Sequence, residues 1–333
     1  MSWDILGHEW AVDMLRQHIA GGQLRHAYLF TGPKGVGRRT MALRFAQAIN
    51  CPKPKSPGVP CRECRICKQI EAMQQADLSV VQAEIEGGVI KVGSVRELRH
   101  ALSLTPYEAP YRIALLLRFE EANDNAQNAL LKTLEEPNPR VVLLLTADMA
   151  EHLLPTIESR CEVLRLRPMP LEELAKALEE RGTAADEART LAHISGGKPG
   201  TALRLLAEPQ LQEGRRVWLD KLLELMQATR RARFAFTGQK TRGQERGDVK
   251  EDLREGLTHW LSFWRDVLLV ASGSDAPLTN LDYAEDIQRA AKGMDVEASS
   301  KQVKTHQKAL SRIYTANLRL LLEALLLGFP KQR

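Results

Sequence analysis

Long apolar runs are absent from this chain. None of its apolar stretches approaches the about 18 residues that a membrane-spanning helix needs. Its start, MSWDILGHEW, also lacks the basic-then-apolar layout of a secretion signal. We therefore expect a cytoplasmic protein with no membrane partner.

A disordered composition is absent as well. Hydrophobic residues make up 44% and charged residues 27% of the 333 residues, an ordinary balance for globular domains. At roughly 150 residues per domain, this length predicts two or three domains, each large enough to bury a core. The net charge of +5 is mildly basic, which suits a nucleic-acid partner without demanding one.

The stretch 30–40, FTGPKGVGRRT, resembles a phosphate-binding loop that has lost its lysine. Its glycines have the required spacing: Gly32, Gly35 and Gly37. An active loop continues with a lysine for the β- and γ-phosphates and a Ser or Thr for Mg²⁺, but Arg38 and Arg39 stand there. Thr40 comes one residue too late to supply the hydroxyl unless the loop is remodelled. The loop therefore keeps the glycine spacing for phosphate binding but lacks the lysine and the hydroxyl that ATP hydrolysis needs.

A second loss concerns the strand predicted at 111–117, YRIALLL. In P-loop ATPases such a strand ends in the carboxylates that hold magnesium and activate water, whereas this one ends in Leu117 and Arg118. The first acids, Glu120 and Glu121, come later, and we expect them to be solvated surface charges. Two independent losses predict a chain that does not hydrolyse ATP.

Four of the five cysteines lie close together in the sequence. They are Cys51, Cys61, Cys64 and Cys67. Two overlapping Cys-x-x-Cys steps and a further cysteine on a Pro/Gly-rich loop can close a tetrahedral thiolate site, so we predict a zinc module at about residues 51–67. Four thiolates leave no open position for water, so the zinc would be structural. The alternative is four unrelated thiols.

The order of predicted elements is that of an α/β P-loop domain with a parallel sheet. Strands at 27–30, 78–82, 111–117 and 141–146 alternate with helical patterns, and the glycine loop leads into the helix expected at 41–50.

Two motifs then carry a family resemblance. ALLKTLEEP at 129–137, followed by an apolar strand and LLPTIESRC at 153–161, resembles the clamp-loader subunits of bacterial DNA polymerase III, members of the AAA+ class. GHEWAVDMLRQHI and RHAYLFTGP near the start, GGKPGTALRL from Gly196 and NLRLLLEALL near the end extend the resemblance over nearly the whole chain. The cysteine insert is similar to the zinc module of that family.

The resemblance implies a role for this chain in a ring of five subunits. The lost ATP chemistry points to a non-hydrolysing subunit beside the gamma/tau and delta subunits, reaching the sliding clamp and primer–template DNA through the complex. Ser159 and Arg160 match the family's Ser-Arg-Cys motif, whose arginine enters a neighbouring subunit's ATP site as an arginine finger.

Pro168 and Pro170 predict a domain boundary, because proline and its predecessor disfavour helix. We expect an AAA+ P-loop-like domain at 1–167, a small helical lid domain at 168–207 and an all-α collar domain at 208–333.

Apolar stripes at helical spacing run through the predicted collar, and we assign their tryptophans to its core: Trp218, Trp260 and Trp264. The polar stretch 237–248 is predicted to be a loop. Basic clusters at 215–216, 230–233 and 240–246 leave direct DNA contact open, because spacing cannot show whether they share a face.

Two other functions fit parts of the sequence. An active gamma/tau-like ATPase could use Arg38 in place of the lysine and Thr40 for the hydroxyl, but it would need a magnesium ligand from elsewhere. A zinc-dependent nucleic-acid adaptor is the other alternative, although the cysteine insert is short and has no interleaved aromatic residues.

Overall fold

The computed structural model describes residues 3–85, 87–242 and 246–330. The chain divides into two compact units. The first comprises Met1–Ala177 with Gly197–Thr201, and the second comprises Leu178–Gly196 with Ala202–Arg333. The predicted three-domain division at 167/168 and 207/208 stays a prediction.

A five-stranded parallel sheet forms the centre of the first unit. Its strands are β1 (Ala27–Thr31), β2 (Leu78–Val81), β3 (Arg112–Leu116), β4 (Val141–Ala147) and β5 (Glu162–Arg165). They lie in the order β2-β3-β4-β1-β5, with every neighbouring pair parallel. The predicted parallel α/β fold is confirmed, with the loop-bearing strand β1 next to both β4 and β5.

Side chains of the sheet alternate between two apolar layers. Tyr28 and Phe30 of β1 join one buried cluster with the helices of that face, whereas Leu29 joins the cluster on the other face. Strands covered on both faces are apolar at almost every position, which is why they appear in the sequence as short continuous apolar runs.

The first unit contains helices α1 (Glu9–Ala20), α2 (Arg38–Asn50), α3 (Arg65–Glu71), α4 (Val92–Leu102), α5 (Asp124–Glu135) and α6 (Pro155–Glu158), and the 3₁₀ turns Phe119–Glu121 and Ala150–His152. Asn123 starts α5 because its side chain accepts a hydrogen bond from the Ala126 N–H at 2.9 Å.

The rest of the described chain is helical, as the collar prediction requires. The helices are α7 (Leu171–Glu179), α8 (Ala185–Ser195), α9 (Pro199–Ala207), α10 (Pro209–Gln227), α11 (Arg230–Lys240), α12 (Arg246–Ala271), α13 (Ala284–Lys292), α14 (Val296–Arg312) and α15 (Leu318–Leu327), with a 3₁₀ turn at Leu281–Tyr283.

The tryptophans predicted for the core of the second unit are buried there: Trp218, Trp260 and Trp264. The Trp260 indole N–H donates to the Trp218 carbonyl at 2.7 Å, so the polar atom of that buried ring is satisfied. The predicted loop at 237–248 is wrong at both ends, because α11 continues to Lys240 and α12 begins at Arg246; residues 243–245 lie outside the described residues.

Two arginines of the basic clusters singled out in the sequence are buried and are not available to a partner. Arg215 is buried and pairs with Asp282, with Nη1 to Oδ2 at 2.7 Å. Arg233 is buried too, and it donates to the carbonyl oxygens of Leu225, Met226 and Leu326 at 2.8–3.0 Å. Both arginines hold the second unit together rather than facing a partner.

Candidate functional site

The phosphate-binding loop lies between β1 and α2, at the carboxyl edge of the sheet. Gly37 precedes α2 with φ 108°, and Gly35 has φ 87°, conformations that glycine adopts without strain. The loop thus has the strand–loop–helix position that phosphate binding requires.

The loop is covered by residues that follow much later in the chain but belong to the same unit. The Gly35 carbonyl accepts from the Gly200 N–H at 2.8 Å and from the Thr201 N–H at 3.3 Å. A β-carbon at Gly35 would come within 1.9 Å of the Thr201 hydroxyl oxygen, so the glycine loop and Thr201 are in direct contact. The start of α9 therefore packs directly on the turn of the loop. This contact could not be predicted from the sequence, because it depends on tertiary packing.

Arg38, at the lysine position of the loop, faces a carboxylate. Its Nη1 lies 3.8 Å from Oε1 of Glu120, and the two side chains are only 10% and 18% exposed. Burial raises the pKa of Glu120, and Arg38 opposes that shift by favouring the charged carboxylate. The prediction that Glu120 is a solvated surface charge was therefore wrong.

Glu121 is not a free surface charge either. Its Oε1 accepts from Arg118 Nε at 2.9 Å and from the Gly87 N–H at 2.8 Å. These two contacts give it a local structural role, so this second part of the surface prediction was also wrong.

The end of β3 is built without a metal ligand at the expected position. Arg118 follows the strand with φ 50°, a left-handed conformation that is uncommon for arginine. Its N–H donates to the Thr146 hydroxyl at 2.8 Å, which ties the ends of β3 and β4 together. The Thr146 hydroxyl therefore has a hydrogen-bond partner within its own sheet. Thr40 is exposed on the first turn of α2.

The four cysteines converge, as the sequence predicted. Their sulfur atoms all lie within 4.8 Å of one another, and Cys51 Sγ and Cys61 Sγ are 3.5 Å apart. Tetrahedral zinc with Zn–S bonds of about 2.3 Å needs sulfur atoms about 3.8 Å apart. The cluster therefore has the size of a structural zinc site.

Backbone N–H groups support the sulfurs in a way that suits thiolate ligands. Cys61, Cys64 and Cys67 donate N–H hydrogen bonds of 3.3–3.4 Å to the Sγ atoms of Cys51, Cys61 and Cys64 respectively. Burial opposes ionisation of Cys61, but the N–H groups of Cys64 and Glu63 and the neighbouring thiols outweigh it and lower its pKa to about 6. Cys67 is fully buried, and burial raises its pKa. A cation would favour the thiolate of such a buried ligand.

Ser159 and Arg160 lie just after α6, away from the other two features. Arg160 Nη2 lies 2.9 Å from Oε1 of Glu135 on α5, and its Nη1 donates to the Thr156 carbonyl at 3.0 Å. The arginine side chain is 35% exposed. The Ser159 hydroxyl donates to the Thr156 carbonyl at 3.3 Å. Sequence reasoning did not identify Glu135 as the partner of this arginine.

The sheet register separates Arg160 from the loop of its own chain. Glu162 pairs with Tyr28 and Arg165 with Thr31, so Arg160 precedes the sheet while the glycine loop follows it. About six residues at roughly 3.3 Å each place the two at opposite edges, about 20 Å apart along the strands. Any ATP site that Arg160 reaches must belong to another molecule.

A basic cavity of about 370 Å³ lies between the carboxyl-terminal halves of α4 and α5. Its cations are Arg96, Arg99 and Lys132, and they outnumber the one carboxylate of the lining, Glu136. Among the described residues, no carboxylate lies within the 4.0 Å of an ion pair to these cations. Sequence reasoning missed this cavity, because its cations come from two helices and form no run.

None of the described helices combines the length and apolar character needed to cross a membrane.

Comparison with known proteins gives matches at both ends of the chain. The family model described as DNA polymerase III, delta subunit, matches residues 7–170, and the model of its C-terminal part matches residues 249–331.

The curated relatives include two delta' subunits of DNA polymerase III. The one from Pseudomonas aeruginosa is 38% identical over 203 residues, which cover 60% of this chain and 61% of that protein, so the match spans about three fifths of the relative. The one from Bacillus subtilis is 29% identical and is covered over 93% of its length by 94% of this chain. A solved gamma subunit-related protein of DNA polymerase III from Thermotoga maritima has the same fold, with a TM-score of 0.53 over 97% of this chain and 99% of that chain, at 18% identity.

Proposed function

Because the chain belongs to the delta' family of DNA polymerase III clamp-loader subunits, we propose that it is a non-hydrolysing subunit that completes the ATP site of a neighbour. One observation supports the proposal more than any other: Gly200 and Thr201 pack on the chain's own loop, while Arg160 is partly exposed at the opposite edge of the sheet. The altered phosphate-binding loop and the outward position of Arg160 fit a subunit that acts on its neighbours.

The case against hydrolysis by this chain rests on three features. Gly200 and Thr201 pack on the loop turn, Arg38 pairs with Glu120, and β3 is followed by Leu117 and Arg118 instead of an acid. The alternative of a rewired ATPase needs Arg38 to face a phosphate and needs a new magnesium ligand. Its pairing with Glu120 favours the non-hydrolysing function.

Arg160 supports a role as an arginine finger in trans. A guanidinium placed at the γ-phosphate stabilises the charge that develops there, an effect of about 10³ to 10⁵ in related NTPases. Arg160 would leave Glu135 when a neighbour's phosphate becomes available. An exposed ion pair of this kind contributes only about 0.2–1 kcal/mol, so it does not prevent the change of partner.

The cysteine cluster supports a structural zinc ion held by Cys51, Cys61, Cys64 and Cys67. Zinc would crosslink the insert to the start of α3. Four thiolates would fill the tetrahedral coordination of zinc, so the metal would have no open position and no part in ATP chemistry.

The partners of this proposal are the gamma/tau and delta subunits in a five-subunit ring, with the sliding clamp and primer–template DNA reached through that ring. The cavity with Arg96, Arg99 and Lys132 offers cations that have no ion pair within the described part of the chain, which suits a DNA phosphate. These partners would place the chain in the cytoplasm.

Reconstitution tests the proposal. The isolated chain with Mg-ATP should show no turnover and little nucleotide binding. Mixed with the gamma/tau motor subunit of the same replisome, it should form a defined complex by size-exclusion chromatography with more ATPase activity than the motor alone. Stoichiometric hydrolysis by the isolated chain, or no complex at all, would overturn the proposal.

A further inference from the structure

The outward face of α14 carries cations that have no ion-pair partner among the residues that the structure describes. They form the α14 stripe: Lys301, Lys304, Lys308 and Arg312, all exposed. Among the described residues, none of these four has a carboxylate within 4.0 Å. Exposed arginines elsewhere in the same unit do find acids: Arg289 lies 2.8 Å from Asp286, and Arg319 lies 2.8 Å from Glu323.

The spacing of the stripe places its cations on one side of the helix. They stand at positions i, i+3, i+7 and i+11, which share a face, and at 1.5 Å per residue they extend over about 16 Å. The opposite face is fixed in the core of the second unit, where Gln302, His306 and Ala309 are buried. The stripe cannot turn inward, so its cations stay in solvent until a partner covers them.

The chemistry of this face favours a nucleic acid over a protein helix. A docking protein helix needs a row of apolar anchors, and the large exposed apolar residue of α14 is Val296 alone, at its first position. Glu297 is the one carboxylate that α14 carries; it lies on the same surface as Lys301, Lys304 and Lys308, so cations outnumber it there. A phosphate backbone, in contrast, requires only closely spaced cations.

We propose that the α14 stripe binds the phosphate backbone of a nucleic acid, without reading its sequence. The inference rests on α14 alone. It does not depend on the role of Arg160 as an arginine finger or on the state of the phosphate-binding loop. Four cations along one helix face neutralise about four phosphates, so binding depends steeply on salt.

The test measures binding of the full chain to a fluorescent DNA duplex and to a single strand of the same length, by anisotropy at several salt concentrations. The stripe variant carries Lys301→Gln, Lys304→Gln and Lys308→Gln. Glutamine has nearly the helix propensity of lysine, so α14 should remain folded, which circular dichroism checks. The matched control removes three exposed cations from other helices of the same unit: Arg216→Gln, Arg231→Gln and Lys292→Gln.

Losing three phosphate contacts should lower the slope of log affinity against log salt for the duplex by about 2.7. The wild-type chain should then gain about 40-fold more affinity than the stripe variant when salt falls from about 200 to about 50 mM, as that slope requires. The control variant should keep most of the wild-type slope.

Two results would overturn the proposal. One is an equal loss in the control variant, which would mean that only overall charge matters. The other is unchanged DNA binding by the stripe variant; if that variant also loses affinity for polyglutamate, the partner of the stripe is an acidic protein instead.

Discussion

Replacing Cys67 with serine should remove both the metal and part of the stability of the first unit. Cys67 is fully buried at the start of α3, where Ile66 and Ile70 pack into the core beneath the sheet. Without its sulfur the site keeps three ligands, and the insert from Cys51 onward loses its crosslink to α3.

The size of the effect follows from the loop that the metal closes. Cys51 and Cys67 enclose about 15 residues, and a crosslink over that length stabilises a protein by about 3 kcal/mol in the chain-entropy model. For a unit of this size each kcal/mol shifts the unfolding midpoint by about 2–4 °C, so the midpoint should fall by about 6–12 °C.

Two assays check this expectation. Elemental analysis should find one zinc per wild-type chain and almost none in Cys67→Ser, and differential scanning fluorimetry should show the lower midpoint, which chelation of the wild type reproduces. Cys161→Ser is the matched control, because Cys161 lies outside the cluster; burial raises the pKa of its thiol to about 12. Wild-type chains without zinc, or a Cys67→Ser variant with normal metal content and midpoint, would refute the reasoning.

Two further predictions concern the second unit. Gly256→Ala should lower its unfolding midpoint, because the new β-carbon would come within 2.3 Å of the Trp218 ring; the overpacking cost of about 1–3 kcal/mol exceeds the roughly 1 kcal/mol of helix propensity gained. Gly214→Ala has open space and should raise the midpoint; equal shifts from the two substitutions would contradict the packing of α10 on α12. Burial lowers the pKa of His306 to about 4 from 6.5, so the folded state resists protonation and stability should fall by about 3 kcal/mol as the pH drops from 6.5 to 4. His306→Phe should remove most of that loss in urea unfolding at several pH values, and an unchanged pH dependence would show that His306 is not its cause.

Much of the first unit could be predicted because its signals are local. Strands buried on both faces produce short apolar runs, the glycine loop marks the turn from β1 into α2, and the cysteine spacing marks the cluster. Each of these signals depends on residues close together in the chain. The predicted positions of these strands and of α2 therefore match the structure.

The rest depends on residues that are distant in the chain. Glu120 is mostly buried with Arg38 lying against it, and Gly200 and Thr201 donate hydrogen bonds to the Gly35 carbonyl of the loop. Arg215 looks like part of a basic cluster until Asp282, on another segment, pairs with it. Spacing in the sequence does not show such partners. Whether a charged side chain is buried and paired, or whether another segment packs on a loop, could therefore not be predicted from it.

The most direct test of the central claim measures single-turnover ATP hydrolysis by a reconstituted clamp-loader complex carrying Arg160→Ala. Arg165→Ala is the matched control, since Arg165 is an exposed arginine at the other end of β5. If this chain completes a neighbour's site, Arg160→Ala complexes should assemble normally but lose the share of hydrolysis that comes from one site, which slows by about 10³-fold or more. Arg165→Ala complexes should react like the wild type. Full hydrolysis at the wild-type rate in Arg160→Ala complexes would contradict the account.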